Sequence, residues 1–136
     1  MQTKSSDVDG IKSAAEHAEM ALIGWVYLNP KDSARIFEQV PSPDAFFDWM
    51  NKRVFTAYTE VRKTGDEITP TSMMAYFERS KIQPPQGLLS YLVKCGSIIE
   101  YATPQSVDQH IRVIKDRFYV HRFNQLAQKA VTTEDV

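Results

Sequence analysis

Apolar residues recur along this chain at three- and four-residue steps, and sustained period-two alternation is absent, so the pattern predicts helices and no sheet. Ala18, Ala21, Leu22, Trp25 and Leu28 form one stripe, which Met20, Ile23 and Tyr27 broaden until the helix is apolar on nearly all sides. Such a helix belongs at the centre of a core. Ser13 and Glu16 match a capping box at its start. Further on, Ile36, Phe37 and Val40 face inward on a second helix. Phe46 and Phe47 sit in a short turn, and Met50, Val54, Ala57, Tyr58 and Val61 lie on a helix from about Trp49 to Thr64 that Gly65 closes. Met73, Met74 and Phe77 mark the next helix. A loop from Ile82 to Gly87 follows, then a short helix with Leu88, Leu89, Leu92 and Val93 that ends at Gly96. The stretch from Ser97 to Ala102 fits either helix or loop.

The starts of these helices are written in the punctuation. Asn29-Pro30, Ser42-Pro43, Thr69-Pro70 and Thr103-Pro104 each place a capping side chain directly before a proline. The cap accepts from the free N–H groups of the first turn, and proline suits the next position because it needs no N–H there. No proline or glycine follows Pro104. One helix from there to about Ala130 would hold roughly 27 residues and span about 40 Å at 1.5 Å per residue. The expected fold is all-α: a compact multi-helix head over residues 13–102, then a long C-terminal helix over 103–136 that forms the first half of a helical hairpin. Residues 1–12 read as a disordered polar lead.

The long helix carries two apolar stripes. Val107, Ile111, Ile114, Phe118 and His121 alternate by four and three, a heptad-like seam suited to a partner helix. Tyr119, Phe123, Leu126 and Ala130 form the second stripe, rotated about the axis. One stripe is expected on the head and the other against a second helix or another chain. The expected interface comprises Val107, Ile111, Ile114 and Phe118, with Arg112, Arg117 and Arg122 beside them.

Composition narrows the chemistry. The 136 residues suit one domain, and a net charge of -1 gives no bulk argument for nucleic acid or a membrane surface. No apolar run is long enough to span a bilayer, and the first ten residues have no apolar core of the secretory kind. The single cysteine, Cys95, beside an apolar run, reads as a structural thiol and favours a reducing compartment. No phosphate-binding glycine loop is present, and His17, His110 and His121 do not have metal-ligand spacing. Asp66 and Glu67 read as a solvated turn. No catalytic, cofactor or metal residue is expected. His110 to Asn124 interleaves bases with aromatics, which leaves a small helical DNA-binding protein as one alternative, although Asp108 and Asp116 dilute the patch.

Four segments together resemble the N-terminal domain of DnaB-type replicative helicases. They are AEHAEMALIGWVYLNP (15–30), PDAFFDWMNKRVFTAY (43–58), GLLSYL (87–92) and TPQSVDQHIRVIKDR (103–117), in the family's order and at compatible spacing. The resemblance runs from about Ala15 to Val131. Glu19 stands where the family usually has an aliphatic residue, Ala21 where it often has glycine, and the 81–86 loop lacks the usual glycine pair. These departures point to a divergent, plasmid- or phage-borne member. The resemblance implies a cytoplasmic collar domain that self-associates as a dimer or hexamer and recruits primase or a helicase loader. It reaches DNA through its parent protein, whose separate motor domain holds ATP and Mg. It also implies that residues 132–136 form a hairpin turn and that the second hairpin helix lies beyond the chain, making this a fragment of an ATP-dependent helicase. A free-standing replication factor of the same fold (a loader, a decoy or a primase helicase-binding domain) is the alternative that the resemblance leaves open.

Overall fold

The computed structural model describes residues 14–134 of the chain, with side chains through residue 131. The polar lead and the capping role of Ser13 lie outside the described residues. Along the chain come α1 (Ala14–Leu28), a 3-10 turn (Pro30–Asp32), α2 (Ala34–Gln39), a second 3-10 turn (Pro43–Ala45), α3 (Trp49–Lys63), α4 (Pro70–Ser80), α5 (Leu88–Ile98) and α6 (Pro104–Glu134). There is no strand among the described residues, as the periodicity predicts.

The cap-proline pairs do unequal work. Thr69 accepts from the Ser72 N–H at 3.1 Å while Ser72 accepts from the Thr69 N–H at 2.9 Å, a reciprocal box that starts α4. Thr103 and Ser106 repeat it at 3.2 and 3.0 Å and launch α6. Ser42 caps only a 3-10 turn, through the Asp44 N–H. Asn29 makes no side-chain cap, and its proline opens a 3-10 turn instead of a helix. The cap of α3 is Asp48, which accepts from the Asn51 N–H at 3.1 Å. Past α4, Lys81 takes the left-handed conformation at φ 57°, a place that glycine usually fills.

Helix α1 is the hub. Residues 21–26 are all buried, and the helix packs on both α5 and the first half of α6. The α1–α5 crossing is close because both sides are bare of side chains. A Cβ at Gly24 would lie 2.3 Å from the Cys95 carbonyl oxygen and 2.9 Å from the Gly96 nitrogen. On the other flank, Phe37, Phe55 and Phe46 stack with centroids 5.1 and 4.4 Å apart. The Tyr58 hydroxyl donates to the Ile23 carbonyl at 3.0 Å and ties α3 to α1. Leu28, Leu89, Val93 and Met74, expected inward, are substantially exposed, because each sits on the outer flank of its helix.

Helix α6 is longer than its pattern predicts. It runs through Glu134, so residues 132–134 continue the helix where a hairpin turn is expected, and 135–136 lie outside the described residues.

Candidate interaction surface

The two stripes of α6 have distinct fates. Val107, Ile111 and Ile114 are at most 1% exposed and Phe118 is 8% exposed, all within the head's core. The expected free seam is therefore internal. It packs against α1, which offers a complementary apolar face along the first half of α6. The uncovered surface is the second stripe and its neighbours. Tyr119, Val120, Phe123, Leu126 and Val131 are all more than half exposed, Phe123 at 70%. His121, the last position of the expected seam, is exposed and meets the edge of the Phe47 ring at 5.1 Å.

Of the three arginines, only Arg112 and Arg122 are exposed. Arg122 lies 5.7 Å above the Phe118 ring. Arg117 turns back into the head. It pairs with the fully buried carboxylate of Glu19, donates to the Ala45 carbonyl at 2.8 Å and lies 3.9 Å above the Phe47 ring. Glu19 also accepts from the Phe47 and Asp48 N–H groups at 2.8 and 3.3 Å and from the Asn51 amide at 3.0 Å. Tyr91 then donates to the Asn51 carbonyl oxygen. One buried carboxylate thus joins α1, the link before α3, α3 and α6, with α5 reached through Tyr91. An ion this buried is tolerable only because nearly all of its lone pairs are used.

A second clamp sits nearer the base of α6. Arg35 on α2 binds Asp32 and Asp108, and it donates to the Pro104 carbonyl at 3.2 Å. Asp32 in turn accepts from the Trp25 indole at 2.8 Å. Asp108 and Arg117 are nine positions apart, about 13 Å at 1.5 Å per residue. Two clamps at that separation fix the direction in which the rest of α6 leaves the head. Beyond Phe118 the apolar stripe of the helix is exposed among the described residues, and between Arg117 and Thr133 the sequence carries no acidic residue.

Glu19, Asn51, Tyr91 and Arg35 are absent from the expected interface. A signal for the first was present: a glutamate within the apolar-all-round helix α1 needs a charged or polar partner when buried, and Arg117 stands beside the apolar seam of α6. No such signal marks Asn51 or Tyr91.

No group of three or more potential metal ligands occurs among the described residues. His17 and His110 face each other across α1 and α6 with centroids 5.9 Å apart, and burial, then the His17 charge, lowers the His110 pKa. Cys95 is fully buried, and burial pushes its thiol up to about 11, against the lowering effect of a Tyr91 hydrogen bond. Such a thiol is a poor nucleophile at neutral pH. Burial also raises the Tyr91 and Tyr58 hydroxyls, which stay protonated and act as donors. Asp66 and Glu67 are exposed, and Asp66 accepts from the Thr64 hydroxyl at 3.0 Å, a turn contact and nothing more. None of the described helices is long and apolar enough to cross a membrane.

The arrangement is a helical head, a doubly clamped arm and an exposed apolar stripe. No curated protein and no solved structure matches the chain. The family model described as the DnaB-like helicase N terminal domain matches residues 12–116. That span covers the head and the packed half of α6 and stops one residue before Arg117, short of the Val131 to which the segment resemblance extends. The chain belongs to the family of DnaB-like helicase N-terminal domains.

Proposed function

We propose that this domain is the collar of a replicative helicase, joining copies of itself through the distal half of α6 and helping to recruit primase or a loader, with ATP and Mg handled by a separate motor domain. The carrying observation is the exposure of Tyr119, Val120, Phe123, Leu126 and Val131 on one projecting helix. An apolar surface of this kind on a soluble protein marks a contact with another chain. The clamps at Arg35 and Arg117 support the reading, since a contact made by an arm is geometrically reproducible only if the arm is held at a fixed angle.

Sedimentation equilibrium over a range of concentrations tests it. The wild-type mass should rise with concentration, and Phe123→Glu should hold the protein monomeric with unchanged melting. A wild type that stays monomeric throughout would overturn arm-mediated assembly. Pull-down with the cognate primase and loader tests the recruiting role, and capture of neither would remove it.

The acid-free distal arm favours one second reading, binding of DNA through Arg112 and Arg122. In that case Arg112→Ala and Arg122→Ala should each lower affinity and flatten its salt dependence. Absence of salt-sensitive binding at about 50 mM salt removes the idea.

A further inference from the structure

A recess of about 430 Å³ opens between the end of α2, the Pro41–Pro43 link and the outer face of α3. None of its lining residues comes from α6. Half-buried Phe37 provides the accessible apolar wall, and the almost wholly buried Val40 and Phe55 back it, with the Phe37–Phe55–Phe46 stack as support. Pro41 and Pro43 make one side rigid, because each has its φ locked by its ring. Ser42, extended between them, lends an N–H that makes no hydrogen bond among the described residues.

The rim is cationic. Arg62 and Lys63 line it, and no carboxylate does. Lys63 is paired with Glu60 at 2.9 Å. Arg62 is exposed, lies 4.9 Å from the Phe37 centroid and forms no ion pair among the described residues. Asp66 and Glu67 line the adjoining recess on the other side of Arg62, again without pairing to it. A slot whose lining holds an exposed Arg62 without an ion pair among the described residues, and a Lys63 shared with Glu60, has an anionic complement.

We propose that this recess docks an acidic peptide segment of a partner protein, which lays one apolar anchor side chain against Phe37 and the Pro41–Pro43 wall and sets a flanking carboxylate on Arg62, with Lys63, shared with Glu60, beside it. The dimensions suit a single aromatic or leucine-sized anchor. The charge pattern selects Asp and Glu beside it, and the Ser42 N–H can take one carbonyl of the extended segment. Single-stranded nucleic acid shares the negative charge but gains affinity by stacking bases on open ring faces, and Arg62 already covers Phe37. The contact goes beyond arm-mediated assembly and uses a different face of the head.

The test is an amide-resolved NMR titration of the full chain with a synthetic peptide of Asp and Glu around a central Phe. Amides of Phe37, Ser42, Thr59 and Arg62 should shift. Replacing the peptide's Phe by Ala should abolish the shifts, and added salt should weaken them. Arg62→Glu with Lys63→Glu should raise the dissociation constant by roughly tenfold or more. Thr59→Trp, which fills the recess without altering its charge, gives a second block should the charge reversal disturb folding. The proposal is overturned by no shift at about 1 mM peptide, by both variants binding the peptide as tightly as the wild type, or by shifts confined to α6. An oligonucleotide that shifts these amides when the peptide does not would also overturn it.

Discussion

The guanidinium of Arg117, on the long helix, closes an ion pair on the Glu19 carboxylate inside the head, and Glu19 is 0% exposed. Removing one partner of a buried pair leaves an uncompensated charge, which costs about 3–5 kcal/mol. Arg117→Leu is therefore expected to destabilise the domain by that amount in urea titrations. Glu19→Leu also strands the N–H groups of Phe47 and Asp48, so its cost is similar. The double variant should cost less than the sum of the two by about 1–3 kcal/mol. Strict additivity would mean that water screens the pair. Asp108→Asn, at the half-exposed Arg35 clamp, should cost no more than about 1 kcal/mol.

Local chemistry was legible and partner choice was not. Helix positions follow from apolar spacing, and the start of α6 follows from Thr103 and Pro104, because caps and periodicity act within a few residues. Which stripe of α6 meets the head depends on α1, some ninety positions earlier in the chain. Both stripes satisfy the same spacing rule, so Val107, Ile111, Ile114 and Phe118 read equally well as seam or as core. Only the packing decides. The same limit hid Asn51 and Tyr91, whose roles exist only once Glu19 is buried beside them. Asn29 shows the opposite error: a cap-proline pair opens a 3-10 turn when α1 has just ended and the chain must reverse, with the Asn29 N–H still bonded to Trp25 at 2.7 Å.

The crossing of α1 and α5 makes a graded prediction. A methyl group at Gly24 meets backbone atoms of Cys95 and Gly96, which cannot step aside without separating the helices. Gly24→Ala should destabilise by about 1–3 kcal/mol or more, in the manner of overpacking. At Gly96 the nearest atoms belong to the flexible, half-exposed side chain of Leu28, at 3.2 Å. Gly96→Ala should be close to neutral, since the gain in helix propensity offsets a small adjustment. Thermal melts of the two variants side by side give the comparison, and equal losses would refute the close crossing.

The imidazole pair predicts a pH dependence. The His110 pKa is lowered from 6.5 in the folded protein by burial first and by His17 second, so the unfolded chain binds the proton more readily. Stability from this source is complete above the unfolded pKa and is lost as pH falls from there toward the folded value. Melting should therefore be lower at about pH 5.5 than at about pH 7.5, with His110→Gln reducing the difference. A slope unchanged by His110→Gln would assign the effect to other groups.

Phe118 and Phe123 stand on the same helix five positions apart, one 8% exposed and the other 70%. Phe118 fills core space beside Ile114 and supports the Arg122 side chain, so Phe118→Ala should cost about 3–5 kcal/mol, the range for a buried aromatic truncated to a cavity. Phe123 is largely exposed, and Phe123→Ala should alter the stability of the monomer by no more than about 0.5 kcal/mol. If copies of the chain join through the distal arm, the same substitution should lower the apparent melting temperature only at concentrations where the wild type associates, because binding adds stability by mass action. Melting at two concentrations therefore separates a residue that holds the head together from one that holds chains together. A concentration-independent loss at Phe123 would place it in a fold contact instead.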